Sequence, residues 1–288
     1  MTDIKSIIKE HNDSLGITWK KYSKDKRISI SQIKDSLAVE FDQEGVAKKT
    51  YENNFNNPKS IYYQKTVEEI IEMWTSKADK SKQMGNLVDN FVGFEYDLWD
   101  NPNDQRILNE VAEAVKVADP IVARKYNGVH RAIEEFRKNG YVFEAREMPL
   151  YLEYLYKKKI WLINGRFDAI FSNGDLLVIV DWKNNEEVKD KNPWQKMLGP
   201  MKKYDDCDLI KFTIQVYMYM YILKEEYKVT APISSCIVQF PGQKDFFYRI
   251  FMPAFDYDHE LMKKIIEYSI DSRIEKEKQL KKMKKESS

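Results

Sequence analysis

The chain has 288 residues, 43% hydrophobic and 32% charged, which suits a soluble folded protein with a sizeable core. Its 47 basic and 46 acidic residues leave a net charge of +1, which excludes a uniformly basic nucleic-acid coat but not local patches. Two cysteines, Cys207 and Cys236, cannot build a disulfide framework or a four-cysteine zinc or iron–sulfur site, and His11, His130 and His259 argue against a multi-histidine zinc site.

The opening Met1-Thr2-Asp3-Ile4-Lys5 is polar, with no long apolar segment behind it. The longest apolar run, near Val216–Leu223, is far short of the roughly 18 residues that a spanning helix requires. An intracellular, membrane-free protein is expected. Two basic runs, Lys20 to Arg27 and Lys281 to Lys285, offer local phosphate contacts or plain solvated surface.

Residues 28 to about 140 read as helical. Ser29 with Gln32 and Thr66 with Glu69 have capping-box spacing ahead of apolar-periodic runs. Pro120 interrupts one run, and Gly128 and Gly140 bracket another. From about 141 the apolar period changes from 3.6 to 2, and "YVFEAREMPLYLEYLY", "IWLINGRFDAIF" and "DLLVIVDWK" read as strands. A long helix, "DLIKFTIQVYMYMYILKEEY", follows, then strands near "SSCIVQF" and "DFFYRIFM" and a polar closing helix. No Gly/Ser/Pro linker divides the chain, so one α/β domain is expected over 1–288. It comprises a helical portion (1–140), an α/β core (141–255), and a C-terminal helix with a basic tail (256–288).

The apolar strand Leu176–Val180 ends in Asp181-Trp182-Lys183, with a further acid, Asp168, shortly before it. Asn173-Gly174 is a strong hairpin signal. With those two as the turn, Asp168 faces Ile179, and Asp181 and Lys183 share that face because side chains alternate. Diagonal neighbours lie about 7–8 Å apart, within reach of one metal ion. A strand apolar on both faces is covered, and unpaired carboxylates are costly there, which favours a functional pair over ordinary surface acids. Any metal is expected to be held by carboxylates, pointing to Mg2+ or Mn2+.

Gly165-Arg166-Phe167-Asp168 followed by Asp181-Trp182-Lys183 resembles the motifs of the PD-(D/E)XK nuclease superfamily. Gln215 and Tyr219 on the next helix resemble the Q-x-x-x-Y element of its RecB-like branch, and their i, i+4 spacing puts them on one face. A looser resemblance to phage-encoded RecB-like exonucleases extends upstream, through "ISISQIKDSLAVEFDQEGVAKKTY" and "EIIEMW". The resemblance implies a restriction-endonuclease-like core: a mixed central sheet flanked by helices, with a helical N-terminal portion. It also implies a cytoplasmic location in a bacterial or phage-infected cell.

As to chemistry, the resemblance implies metal-dependent hydrolysis of DNA, with exonuclease action in DNA processing, recombination or phage replication. Asp168, Asp181 and an upstream acid, Glu147 in preference to Glu144, would hold Mg2+ or Mn2+ with a backbone carbonyl near Trp182. Lys183 would position water, and Gln215 and Tyr219 would orient Lys183 or the phosphate. Where the branch usually has a histidine ligand, "MGNLVDNFV" carries Asp89, which would ligate the metal in its place or mark an altered or inactive site, while His130 sits on a helix face with no catalytic role. Trp182, Tyr217 and Tyr221 are candidates for stacking on bases. The alternatives are an RNA-cleaving endonuclease of the same superfamily and an inactive fold that binds nucleic acid.

Overall fold

The computed structural model describes residues 3–16, 22–116, 120–242 and 246–286. Among these, the N-terminal portion forms α1 (Ile4–Leu15), α2 (Ile30–Ser36), α3 (Gln43–Asn54), α4 (Val67–Asp97), α5 (Gln105–Lys116) and α6 (Pro120–Lys138). Both capping boxes form: Ser29 and Gln32 start α2, Thr66 and Glu69 start α4, and each side chain takes a backbone N–H of the other residue. Pro120 opens α6 rather than interrupting a run, because a proline there lacks only an N–H with no helical partner. The expected helical stretch also begins with a strand, β1 (Arg27–Ser29). The basic run at 20–27 falls partly outside the described residues, and the tail lysines continue a helix to Glu286.

The β-rich part comprises β2 (Val142–Arg146), β3 (Pro149–Tyr156), β4 (Lys159–Arg166), β5 (Ala169–Asn173) and β6 (Leu176–Lys183), then α7 (Asp208–Glu225), β7 (Ile233–Gln239), β8 (Arg249–Phe251) and α8 (His259–Glu286). The strands form two sheets, a five-stranded one in the order β2-β5-β6-β7-β8 and a three-stranded one in the order β1-β4-β3. The larger sheet is mixed, with β6 and β7 parallel and its other pairs antiparallel. Helices flank it, as expected.

Two runs that read as single strands are each divided between the sheets. Arg146 pairs with Ala169 on one side of the break, and Pro149 pairs with Arg166 on the other. Between them Glu147 adopts φ 48°, and its N–H donates to the Asp168 carbonyl at 3.1 Å. The hairpin therefore bends as one piece, and the bend lies at Glu147 and Asp168. A left-handed, non-glycine residue at this place is strain that an alternating pattern does not announce.

The β5–β6 turn also differs from expectation. Asn173 pairs with Leu176, so Gly174 and Asp175 are the turn residues, with Gly174 at φ 61°. Glycine at the first central position suits a type II′ turn, while Asn173 is held in the strand by donating Nδ2 to the Asn139 carbonyl at 3.1 Å. The register moves by two residues, to Ile170 opposite Ile179, and a shift of two leaves every side chain on its expected face.

Strand β6 is buried on both faces. Leu177 and Ile179 face the core beneath α7, with Ile214 and Met218. Val178, Val180 and Trp182 face a second, aromatic core beneath α4 and α6, with Phe91, Phe171 and Phe240. Phe171 stacks on Phe143 and Phe136, with ring centroids 4.3 and 4.4 Å away. Each such buried side chain contributes about 1.5–3 kcal/mol relative to exposure. Among the described residues, no helix is long and apolar enough to cross a membrane. Cys207 and Cys236 are both free and buried.

Two consequences are measurable. At Gly165 in β4, a methyl group would lie 2.4 Å from Ile30 Cδ1 and 2.8 Å from Tyr219 Cε1, because α2 and α7 both close onto this backbone. Gly165→Ala should therefore destabilise the fold by about 1–3 kcal/mol in denaturant unfolding; an unchanged midpoint would contradict that packing. In the second case, His130 Nδ1 lies 3.0 Å from Oε1 of the buried Glu95, and this hydrogen bond raises the histidine pKa. A raised folded-state pKa stabilises below the unfolded value of about 6.5, and that stabilisation is lost as pH rises through the folded value. Melting temperatures should fall over that window in the native protein and change less in His130→Gln; parallel profiles would refute the linkage.

Candidate active site

Continuing the β5–β6 register by one pair beyond Ala169 and Val180 brings Asp168 opposite Asp181. Asp168 sits at the bend, where β5 has not begun, and its Oδ2 accepts the Trp182 N–H at 2.8 Å. Asp181 is fully buried, on the β6 face covered by α7. Two carboxylates are thus closer in register than the diagonal arrangement expected. Burial first, then the charge of Asp181, pushes the Asp168 pKa up to about 8. That is the physical signature of two acids forced into one shielded space.

Lys183 lies two residues along the same face, with its Nζ 2.6 Å from Asp181 Oδ2 and 4.9 Å from the centre of the Phe212 ring. Burial opposes its charge, but Asp181 and Asp168 outweigh burial and raise its pKa above the usual lysine value. Gln215 and Tyr219 come from α7, one turn apart. Gln215 Nε2 donates to Asp181 Oδ1 at 3.0 Å and to the Tyr219 hydroxyl at 3.2 Å. Tyr219 in turn donates to the Arg166 carbonyl at 2.7 Å. Asp168, Asp181, Lys183, Gln215 and Tyr219 are therefore brought together.

The upstream acids stand further out. Glu147 lies at the bend but turns its carboxylate towards arginines, with Oε2 3.6 Å from Arg146 and 4.0 Å from Arg166. Glu144 instead accepts a hydrogen bond from Ser172 across the sheet. Asp89 projects from α4, and shielding by the surrounding chain, followed by the Glu147 charge, raises its pKa. Among the described residues, no three Asp, Glu, His or Cys side chains are gathered tightly enough to hold a metal.

The acid pair itself fits a hard divalent cation. Its donors are carboxylate oxygens, its charges repel, and the buried Asp181 Oδ2 is faced by the Lys183 ammonium. Asn184, just past Lys183, donates Nδ2 to the Ser81 carbonyl at 2.9 Å and so ties this strand end to α4. A cleft of about 610 Å³ reaches Gln215 and Tyr219 and is lined also by Ser31, Glu147, Asn164 and Arg166; Asp168, Asp181 and Lys183 are not among its lining residues. A larger cleft, about 800 Å³, lies by His130 and Phe247, near α6 and away from this acid pair.

The aromatic candidates are corrected. Trp182 points to the opposite face of β6, stacked on Phe240 at 5.8 Å, because it alternates with Asp181 and Lys183. Tyr217 and Tyr221 are buried on α7, and Tyr217 donates to the Phe255 carbonyl. None is free to stack on a base. Conversely, Lys34 on α2 reaches the site, with its Nζ 3.3 Å from Gln215 Oε1. The alternating and helical patterns that located the other residues carry no information on a partner 181 positions away.

A family model described as the PD-(D/E)XK nuclease superfamily matches residues 54–287. No curated protein matches the chain. Among solved structures, SSO0001 is similar at 12% identity and a TM-score of 0.34, over 93% of this chain and 84% of that one. A Eubacterium rectale protein named "Putative exonuclease" is similar at 14% identity and a TM-score of 0.41, over 88% of this chain and 82% of that one. The family match takes in the acid pair at the strand end, Lys183, Gln215 and Tyr219, and the chain belongs to the PD-(D/E)XK nuclease superfamily.

Proposed function

We propose that this protein is a divalent-metal-dependent nuclease that hydrolyses DNA phosphodiester bonds, acting as an exonuclease of the RecB-like kind in DNA processing, recombination or phage replication. The observation that carries the reading is Asp168 opposite Asp181 with Lys183 two residues on, in a chain of this superfamily. Asp168 and Asp181 would hold Mg2+ or Mn2+, with Glu147 or Asp89 joining by rotation about their own side-chain bonds. What the cation supplies when held there is charge neutralisation at the scissile phosphate and a more acidic water.

The chain's own groups do the rest. Lys183 is held charged by the acids beside it, so its ammonium can position the attacking water and meet the charge that develops on phosphate. Gln215 keeps Asp181 Oδ1 occupied, and Tyr219 anchors Gln215 to the end of β4. Arg166 and Ser31 line the cleft and offer donors to flanking phosphates. The preference for DNA and for ends follows the RecB-like resemblance and the helical segments around the cleft. A second reading, a fold that binds nucleic acid without cutting it, is favoured by Asp89 in the histidine position and by the outward carboxylate of Glu147.

End-labelled linear and circular DNA, single- and double-stranded, and matched RNA decide between these readings, each with Mg2+, Mn2+ or EDTA. Loss of linear DNA only, requiring metal, is expected. Asp181→Asn and Lys183→Ala should each lower the rate by about 100-fold or more, in line with groups acting on transition-state charge. Cutting of circles would make it an endonuclease, cutting of RNA alone would move it to the ribonuclease alternative, and metal-free binding without turnover would leave the binding fold.

A further inference from the structure

Lys34 is an unusual lysine. It lies on α2, half-buried, and pairs with no carboxylate among the described residues. Burial first, and then the nearby charge of Lys183, draws its pKa below the ordinary lysine value. A lysine with no other task stays in water, where its flexible stem readily takes it. Nor does α2 depend on it for docking, because Ile30 and Ile33 bury the helix against the core and the Ser29–Gln32 box caps it. What Lys34 touches is Gln215.

The hydrogen bonds that begin there have one direction. Lys34 Nζ donates to Gln215 Oε1 at 3.3 Å, and Gln215 Nε2 donates to Asp181 Oδ1 at 3.0 Å and to Tyr219 at 3.2 Å. Tyr219 then donates to the Arg166 carbonyl at 2.7 Å. An ammonium can only give and a backbone carbonyl can only take, so the two ends fix the sense of every bond between them. Asp181 alone can select which end of the amide faces it. Asp181 and Tyr219 both hold the Nε2 end of the amide, and Lys34 holds its other end, Oε1.

We propose that Lys34 is a positioning residue of the nuclease site: it holds the Gln215 amide with Nε2 on Asp181 Oδ1, and so fixes the orientation of the carboxylate that would meet the cation. This deepens the function proposed above and rests on it. It also gives α2, far from the motifs in sequence, a part in setting the metal-binding carboxylate. Groups that orient a ligand from behind typically alter metal affinity by about 10–100-fold when removed.

The test uses the full chain and Mn2+ alone, with affinity measured by calorimetry or by the free-ion paramagnetic signal. Lys34→Met should weaken Mn2+ binding by about 10–100-fold and Lys34→Arg should restore most of it, with thermal melting confirming that each variant is folded. Because Lys34 acts through Gln215, Lys34→Met combined with Gln215→Leu should bind Mn2+ no more weakly than Gln215→Leu alone. Native affinity in Lys34→Met, or losses that add in the double variant, would overturn the proposal. A metal-free readout separates this from the nuclease reading: the Gln215 side-chain amide signals in 15N NMR should move in Lys34→Met and stay in Lys34→Arg. If the native protein binds no Mn2+, the metal-dependent nuclease fails while those signals still decide on Lys34; unmoved signals in Lys34→Met reject the positioning role.

Discussion

Two carboxylates share one shielded space at the end of β6, and much of the structure around it is arranged about that fact. Each charge taken out of water costs several kcal/mol unless something close answers it. Asp168 has one backbone N–H, from Trp182, and Asp181 has Gln215 and the ammonium of Lys183. At Asp168 that one partner does not offset burial, which together with the charge of Asp181 pushes its pKa up to about 8. A site like this is stable only because the fold over-determines the positions of both acids, which is how strained or charged functional groups persist in proteins.

The determination comes from two sides. On the strand side, the alternation of β6 sends Val178, Val180 and Trp182 into the aromatic core while Asp181 and Lys183 face α7. Trp182 is thus the nail between the two catalytic candidates: its indole is fixed behind the sheet, and its backbone N–H holds the Asp168 carboxylate at the bend. On the helix side, α7 is apolar nearly all round, so it has no freedom to turn Gln215 and Tyr219 elsewhere. One face of β6 thus packs Val178, Val180 and Trp182, while the other carries Asp181 and Lys183 beyond the buried Leu177 and Ile179.

How much of this is legible in the sequence follows from range. Asp181 with Lys183 and Gln215 with Tyr219 are readable because their spacings, two on a strand and four on a helix, are set by local geometry. The face shared by Asp168 and Asp181 was readable for the same reason, and it survived a turn misplaced by one position at Asn173, because the register error was an even number. Trp182, a candidate for stacking on bases, instead alternates with Asp181 and Lys183, and that parity sends it into the aromatic core. The bend at Glu147 was not readable, since nothing in alternating apolar residues signals φ 48° at a glutamate. Lys34 was not readable either, because only the folded chain brings residue 34 to residue 215.

The bend explains why two of the acids come from one hairpin without lying on one sheet. Had β2 and β3 run straight on, Glu147 would have been an ordinary strand residue, and β4 would have carried Asp168 deeper into a single ladder. Instead the Glu147 N–H and the Asp168 carbonyl make the last bond before the strands part company. The three-stranded sheet then turns away beneath α2, and Gly165 leaves room for Ile30 and Tyr219 to meet over the backbone. That opening is what lets the cleft reach Gln215 and Tyr219. The left-handed glutamate and the absent side chain at residue 165 are therefore two parts of one device, a break in the sheet beside which the cleft opens.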